Sequence, residues 1–339
     1  MNASSLGRKR HAHLMIRVLT VLVAVWLLAV LCLWWWWDDE PERFDVVASA
    51  QQRALQRQQP VVVGTVTTET MIRVAETLLD KRGGYLSNDY APPGVWMDNV
   101  PNWEYGALLQ VRDLAKAYRN EFSRSQTQST EDVDLLEADP LFSSPSDRWL
   151  LPSSESQYRK AIGHVENYLV RLSDNDEYNA QFYARADNLA DWLAVVEKRL
   201  GSLSQRLSAS VGQVRVDTDL GGDIDARQST PTAEQRPVKT PWLQIDDVFY
   251  EARGSTWALL HFLRAVEHDF APVLRDKNAV VSLRQIIREL EESQQPLGSP
   301  VVLNGSPYGF FANHSLVMAN YVSRANAAII DLRKLLERG

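Results

Sequence analysis

The sequence contains a single cysteine among its 339 residues, and histidine is almost as scarce. Cys32 lies inside a long apolar run, so the rest of the chain has no thiol for a disulfide or a thiolate metal site. The histidines beyond that run are His164, His261, His268 and His314. His261 and His268 are seven positions apart, roughly 10 Å along a helix, which is too far for both to bind one ion. We therefore predict no metal site and no cofactor.

Sequence motifs of common nucleophilic and phosphate-binding enzymes are also missing. The chain has no G-x-S-x-G and no S-x-x-K, and Ser156 is followed three positions later by Arg159. The pair Gly221-Gly222 lies in a polar stretch with no lysine directly after it, unlike a phosphate-binding loop. These absences favour a protein without enzymatic activity and leave the question open.

The N-terminal segment carries basic charges and no acidic ones. Arg8, Lys9, Arg10 and Arg17 are the only charged residues among the first 37, so this segment carries a net charge of +4. Because the whole chain carries −7, the remainder carries −11. An acidic body argues against nucleic acid as a partner, since phosphate binding requires clustered Lys and Arg.

A long uncharged segment follows the basic residues, with the sequence VLTVLVAVWLLAVLCLWWWW over residues 18–37. Twenty helical residues span about 30 Å, the thickness of the hydrocarbon core of a bilayer. Basic residues before it and acidic residues 38–40 after it predict a cytoplasmic N-terminus and an external body. We predict a basic cytoplasmic tail at 1–13 and a membrane anchor at 14–37, whose tryptophans 34–37 lie at the outer interface.

Two cleaved signals are alternatives to an uncleaved anchor. A signal peptide has an apolar run of about 7–15 residues and a small-residue cleavage site. Here the run is longer and ends in four tryptophans. A lipoprotein signal needs a small residue before its cysteine, and Leu31 precedes Cys32. The sequence favours an uncleaved, single-pass anchor in the inner membrane.

Beyond the anchor, apolar residues recur at helical spacing, and no alternating strand pattern of any length is found. The longest predicted helix covers about 177–210, and Arg185 occupies one position of its apolar stripe. We predict an all-α fold, in which a transmembrane helix precedes an antiparallel multi-helix bundle with structured loops rich in Pro, Gly and aromatic residues. The predicted segments are a juxtamembrane stretch at 38–64, a helical periplasmic region at 65–211, a flexible loop or linker at 212–241, and C-terminal helices of the same bundle at 242–339. These C-terminal helices are predicted at roughly 243–270, 278–294 and 313–338.

One loop, GGYLSNDYAPPGVWMDNVPNWEYG at 83–106, is dense in aromatic and acidic residues. Its Gly-Gly pair predicts the end of a helix whose N-cap is Thr67 or Thr68. Asn102 is the predicted cap of the following helix, and Glu104 is placed to favour the dipole of that helix.

This loop has a catalytic and a structural interpretation. Asp89, Asp98 and Glu104 match the carboxylate pair of glycoside hydrolysis, in which the two groups stand about 5–9.5 Å apart. In a structural corner, such carboxylates bond backbone amides and the aromatic rings pack on the bundle. We expect an ordered corner with one tryptophan buried, either Trp96 or Trp103. The candidate binding residues are Tyr85, Asp89, Trp96, Asp98, Trp103 and Glu104, together with Arg185.

Arg185 is a candidate because its predicted position is on an apolar face. A buried arginine needs a carboxylate or several carbonyl oxygens. Asp187 and Asp191 lie on other faces of the predicted helix, so we expect the partner to come from elsewhere in the chain. That partner is Asp89 or Asp98 if the loop closes a polar pocket, and another residue if an internal salt bridge sets helix register. Both interpretations predict that Arg185 is at least partly buried.

Several long stretches carry a resemblance to a known family. They include GGYLSND, DNVPNWE, LPSSE, QFYARADNL and LGSLSQRLSASVG. In these stretches the chain resembles an uncharacterised proteobacterial family of single-pass inner-membrane proteins, known only as a domain of unknown function. The resemblance extends over nearly all of the chain after the anchor. It implies a Gram-negative envelope setting and supplies no activity or catalytic residue.

The predicted function is that of a membrane-anchored periplasmic binding or scaffold protein of the cell envelope. Its predicted partners are the inner membrane and other envelope proteins. One alternative is a cell-wall glycan-acting enzyme that uses the carboxylates of the 83–106 loop. A second alternative is lipid or amphiphile handling between the helices. The sequence leaves the small-molecule ligand and the oligomeric state open.

Overall fold

A computed structural model describes residues 3–124, 130–174, 179–216 and 235–338 of the chain. These residues are mostly helical, which confirms the predicted all-α class. A single π-helical turn, Tyr118–Phe122, extends the fourth helix. The helices are α1 (Ala3–Trp37), α2 (Val46–Arg57), α3 (Thr65–Asp80), α4 (Asn99–Ala117), α5 (Val133–Phe142), α6 (Ser154–Leu172), α7 (Ala186–Ser208), α8 (Ile245–Asp269), α9 (Ala271–Asp276), α10 (Val280–Glu292) and α11 (His314–Glu337).

The first helix, α1, contains the predicted anchor. Its segment His13–Trp37 is long and apolar enough to cross a membrane, and a signal sequence meets the same criteria of length and composition. Within this segment only Val30 is buried by the rest of the chain, with 5% of its surface exposed. Nearly all of the apolar surface of the segment is therefore open to its surroundings.

The start of α3 differs from the prediction that Thr67 or Thr68 caps it. The helix begins at Thr65, after Gly64, whose positive φ of 93° suits glycine. The amide and hydroxyl of Thr67 both donate to Asp269 in α8, at 2.8 Å. The hydroxyl of Thr68 donates to the carbonyl of Gly64. The partner in α8 is distant in sequence, so local pattern did not reveal it.

The helix predicted over 177–210 begins at Ala186, about nine residues later than expected. Residues 179–185 are not helical, and the amide of Tyr183 donates to the carbonyl of Phe122 at 2.7 Å. This contact with the π-helical turn holds the segment in an extended path. The first two residues of the predicted helix, 177 and 178, lie outside the described residues.

The predicted linker at 212–241 begins and ends in regular structure. Strands β1 (Gln213–Val216) and β2 (Gln235–Val238) pair in antiparallel fashion, with Gln213 opposite Val238. This hairpin was not predicted, because four-residue strands are too short to show an alternating pattern. Residues 217–234 lie outside the described residues, so flexibility there stays a prediction.

At the centre of the bundle, α4 and α8 lie side by side and run in the same direction. Asn102 in α4 donates to Asp247 in α8 at 2.7 Å, and Gln110 donates to Ser255 at 2.8 Å. This pair departs from the antiparallel arrangement predicted for the bundle as a whole. The surrounding helices pack on it to form one continuous core, with α7 on α11, α10 on α11 and α8, and α3 on α8 and α6.

One end of the bundle adjoins the end of α1, and we call it the anchor end. Trp34 and Trp37 of α1 pack against a cluster that includes Val100, in the first turn of α4. The N-terminal end of α8 lies at the same level, because α4 and α8 run parallel. The N-terminal end of α11 is also here, since the rings of Phe249 and His314 are 6.4 Å apart.

Candidate functional site

The 83–106 loop forms an ordered corner between α3 and α4, held by the buried carboxylate of Glu104. Lys81 forms an ion pair with Glu104, and both side chains are almost fully buried. The amides of Leu86 and Ser87 donate to its two oxygens, each at 2.8 Å, and the Ser87 hydroxyl donates as well. Four donors therefore converge on one carboxylate, which supports a structural role for Glu104.

Asp98 and Asp89 have different surroundings from Glu104. Asp98 is exposed and caps α4, which corrects the prediction that Asn102 is the cap. The reason is that Pro101 is tolerated in the first turn, where amides have no helical partner. Asp89 is half-buried, and burial, together with the charges of Glu104 and Glu155, raises the pKa of its carboxyl. The three carboxylates thus occupy three separate environments.

The aromatic residues of the loop divide between the core and the surface. Trp103 is buried, with its ring 5.1 Å from that of Trp257, which confirms the expectation of one buried tryptophan. Tyr85 is also buried, and its hydroxyl donates to the carbonyl of Ser146. Trp96 remains 50% exposed. The buried rings of Trp103 and Tyr85 therefore hold the corner on the core, while the ring of Trp96 lies at its surface.

Arg185 does not meet the loop, which corrects the prediction that its partner is distant in sequence. It precedes the first residue of α7 and pairs with Asp187, at 2.6 and 3.1 Å. Since residues 179–185 are not helical, the apolar helix face assigned to Arg185 does not exist. Its side chain is 36% exposed, consistent with the expected partial burial.

One face of α1 lies against the corner loop. Trp26 makes an edge-to-face contact with Trp96, with ring centroids 6.4 Å apart. Val30 is buried on the same face, and Trp34 and Trp37 pack on the cluster of Leu86, Met97 and Val100. From Trp26 to Val30, Trp34 and Trp37 the intervals are four, four and three residues, which places these side chains on one face of α1. Trp35 and Trp36 remain exposed, so only two of the four consecutive tryptophans at 34–37 contact the body.

The segment between α1 and α2, residues 38–45, is a strap that crosses α8. Glu40 accepts hydrogen bonds from Arg253 at 2.8 and 3.0 Å, and Arg253 also donates to the carbonyl of Gln295. The ring of Phe44 stacks on that of His261, with centroids 4.1 Å apart. The strap is therefore fastened by an ion pair and by a ring contact.

His261 links the strap to α8 through both of its ring nitrogens. Its Nε2 accepts a hydrogen bond from the amide of Phe44 at 3.1 Å, while Nδ1 faces the carbonyl of Trp257 at 2.7 Å. This arrangement needs a neutral ring that donates from Nδ1. Burial lowers the pKa of His261 to about 4, which keeps the ring neutral at physiological pH.

An open cleft of about 1180 Å³ lies between the strap and α8. Charged side chains of both signs line it, and one pair among them, Arg264 and Glu291, is joined at 2.5 Å. Burial and the carboxylates of Glu40 and Asp38 raise the pKa of Tyr250, in the cleft wall, to about 12. The chemistry of the cleft is polar, with few apolar walls suited to an acyl chain.

Neither the contact between the body and α1 nor the ion pair that fastens the strap was predicted from the sequence. The spacing of Trp26, Val30, Trp34 and Trp37 was a readable signal, because an anchor that faces only lipid needs no such stripe. Arg253 was not distinctive, because the helix predicted over 243–270 carries several other charged residues. Their partners, Trp96 and Glu40, are distant in sequence and emerge only from the fold.

Comparison with known proteins gives a family assignment. No curated protein and no solved structure matches the chain. The profile of one family, DUF2333, described as an uncharacterised protein conserved in bacteria, matches residues 9–339. This match spans nearly the whole chain and agrees with the resemblance to a domain of unknown function noted in the sequence. The chain therefore belongs to the DUF2333 family of bacterial proteins.

Proposed function

We propose that this protein is a membrane-anchored binding or scaffold protein of the Gram-negative cell envelope. Its N-terminus lies in the cytoplasm, α1 crosses the inner membrane once, and the helical body lies in the periplasm. The charge distribution supports this topology, because four basic residues precede the apolar segment and acidic residues 38–40 follow it. The body itself is acidic, with a net charge of −11 beyond residue 37.

The observation that carries this proposal is that the body contacts one face of its anchor and the strap that follows it. The corner loop packs on α1 through Trp96, and the strap is fastened through Glu40 and His261. A flexible tether is sufficient for an enzyme that acts on a nearby substrate. A rigid mount holds a binding surface at a fixed height and orientation above the membrane, as a scaffold requires.

The two alternatives have weaker support. A glycan-acting enzyme needs a free acid in a cleft, whereas both oxygens of Glu104 are engaged by donors from the corner itself. Lipid handling between the helices needs an apolar cavity, whereas the cleft beside the strap is lined mainly by charged residues. Full complementation by a Glu104→Gln, Asp98→Asn double variant would remove these two residues as catalytic acids.

Reporter fusions test the proposed topology. We expect alkaline phosphatase fused after residue 339 to be active and green fluorescent protein at the same position to be dark. The matched control is an N-terminal fusion, for which the opposite result is expected. A C-terminal reporter active only in the cytoplasm would show that the proposed topology is wrong.

A linker insertion tests the scaffold role. A flexible Gly-Ser segment of about ten residues placed between Trp37 and Asp38 adds reach and releases the fixed orientation. We expect the variant to fold and reach the membrane, yet to recover fewer cross-linked partners from solubilised membranes than wild type. The matched control inserts the same segment after residue 225, within the predicted linker. Equal partner recovery from both insertions would contradict a role for the rigid mount.

A further inference from the structure

We propose that the anchor end of the body inserts apolar side chains into the outer leaflet of the membrane that α1 crosses. The inference rests on the topology proposed above and adds a second, peripheral membrane contact to the transmembrane helix. The partner is the lipid surface itself, at the depth of the headgroups and upper acyl chains.

The exposed aromatic residues of the body are the first observation. In the described body, every exposed Trp or Phe lies in a connection at the anchor end, and Phe310 is 98% exposed. Exposed apolar residues elsewhere on the body are mostly single aliphatic side chains, such as Leu55 and Val281. Isolated aliphatic residues are normal on protein surfaces, whereas a concentration of exposed aromatic rings marks a binding surface. The exposed rings are Trp96, Trp149, Trp242, Phe310 and Phe311.

Two of these connections touch each other and form one patch. The rings of Tyr90 and Trp149 are 5.0 Å apart, and Asn88 donates to the carbonyl of Arg148 at 3.0 Å. This contact brings the corner loop together with the exposed sequence Trp149-Leu150-Leu151, in which Leu151 is 91% exposed. We call these two connections the lipid patch.

The lipid patch is continuous with the membrane anchor. Trp96, in the corner loop, contacts Trp26 of α1. Trp26 precedes Trp37 by eleven residues, roughly 16 Å along the helix, so Trp96 lies beside the apolar segment and not beyond its end. A membrane that surrounds Trp26 therefore reaches the corner loop as well.

The length of the apolar segment agrees with this depth. His13–Trp37 has 25 residues, about 37 Å of helix, which exceeds the hydrocarbon thickness of about 30 Å by several residues. If the hydrocarbon begins at His13, with the side chain of Arg17 extended to the inner headgroups, its outer boundary falls near residue 33 and Trp26 lies roughly 10 Å inside it. Interfacial segments bury their apolar side chains about 5–10 Å deep, and tryptophan and tyrosine concentrate at that level.

The remaining exposed rings are at the same end of the bundle. Trp242 comes just before α8, whose first turn is level with that of α4 through the contact between Asn102 and Asp247. Phe310 and Phe311 come just before α11. Arg148 is exposed directly before Trp149, where a guanidinium meets lipid phosphate. The rings and this cation match an interfacial surface better than a protein groove, because they protrude from separate connections.

Fluorescent labelling of the full chain in nanodiscs tests the inference. With Cys32→Ser as the background, single cysteines at Leu151, Val95, Val281 and Leu28 each receive an environment-sensitive nitrobenzoxadiazole label. The nanodiscs contain phosphatidylethanolamine and phosphatidylglycerol, with or without a lipid carrying a nitroxide near the headgroup. Val281 is the matched control, since it is 79% exposed and lies at the N-terminal end of α10. That end of α10 is beside the C-terminal end of α8, away from the anchor end, because Arg284 donates to Glu267. Leu28 reports the anchor.

We expect labels at Leu151 and Val95 to be quenched at least twofold by the nitroxide lipid and the label at Val281 to be unaffected. Quenching of Leu28 with no quenching of Leu151 and Val95 would overturn the inference while the anchor stands. In that case a protein partner is the better occupant of the patch. A Leu28 label that stays in water would instead overturn the proposed topology. Circular dichroism of each labelled chain confirms that the fold is retained.

Discussion

Gly106 in α4 lies against the backbone of Glu251 in α8, so close that an added Cβ would stand 1.9 Å from the carbonyl oxygen of Glu251. The reverse contact also occurs, because a Cβ on Gly254 would stand 1.8 Å from the carbonyl oxygen of Trp103. Two glycines on facing helices thus allow the parallel pair at the centre of the bundle to approach backbone to backbone.

We predict that Gly106→Ala destabilises the protein by about 3 kcal/mol or more, since the two helices must separate to admit the methyl group. Gly163→Ala in α6 is the matched control, because nothing lies within 4 Å of its added Cβ. The control should gain about 0.5–1 kcal/mol from improved helix propensity. Thermal unfolding followed by circular dichroism in detergent measures both, and equal melting temperatures would contradict the close approach.

The buried ion pair of the corner gives a second prediction. Glu104→Gln keeps the shape of the side chain but removes the charge facing Lys81 and turns an amide NH₂ toward donors. We expect a loss of about 3–5 kcal/mol in the free energy of unfolding, because an uncompensated charge stays buried. Lys81→Met added to Glu104→Gln should restore part of the loss.

The control for this ion pair is an exposed one. Asp80 and Arg159 pair at 2.7 Å, and each side chain is 56% exposed. Asp80→Asn should change the free energy of unfolding by less than about 1 kcal/mol, as exposed pairs do. If Glu104→Gln costs no more than Asp80→Asn, the carboxylate does not hold the corner.

A pH dependence follows from His261. Its folded pKa, about 4, lies below the ordinary value of 6.5, so the unfolded state takes up a proton first as the pH falls. The stability that the neutral ring contributes is complete above pH 6.5 and is lost as the pH falls toward 4. Between pH 7.5 and 5 we expect a loss of about 2 kcal/mol that His261→Gln does not show.

His268 provides a control, because its pKa is shifted in the opposite direction to that of His261. Its hydrogen bond with Asp269 raises the pKa of its ring, so its contribution is present at low pH and is lost as the pH rises through the folded pKa. The difference between wild type and His268→Gln should therefore shrink with rising pH, while the difference for His261→Gln grows. Urea unfolding at several pH values measures both, and parallel curves for the two variants would contradict the assignment.

The fourth prediction concerns the tryptophan beneath the corner. Trp103→Ala should cost about 3–5 kcal/mol, because a large buried ring is replaced by a cavity. Trp149→Ala is the control, since its side chain is 54% exposed, and it should leave the melting temperature nearly unchanged in detergent. A Trp103→Ala variant that melts like wild type but recovers no partners would show that the corner is an interaction surface.

The sequence predicted some parts of this protein closely and others not at all. The C-terminal helices were predicted at 243–270, 278–294 and 313–338, within about two residues of their observed bounds at either end. Their apolar stripes are long and their ends are marked by local signals, which is what a sequence records best. The predicted start of α7 was wrong, because the hydrogen bond from the amide of Tyr183 to the carbonyl of Phe122 overrides the helical pattern.

The candidate site shows the same division. That the 83–106 loop is an ordered corner followed from its composition, since its aromatic rings need a core to pack on. The carboxylate that holds it was not identifiable, because the partners of Glu104, namely Lys81, Leu86 and Ser87, are 17 to 23 positions away. Arg185 was singled out because of a helix that does not extend to it.

The sequence by itself determined the apolar N-terminal helix, the helical class and the corner, because each depends on hydrophobic pattern and turn residues within a short window. Only the tertiary structure decided which face of α1 meets the body, how the strap is fastened and which end of the bundle carries the exposed rings. The physical reason is that these features are contacts between distant segments, such as Trp26 with Trp96 and Glu40 with Arg253. Local pattern sets what each segment can bury, and the packing of the whole chain selects its partner.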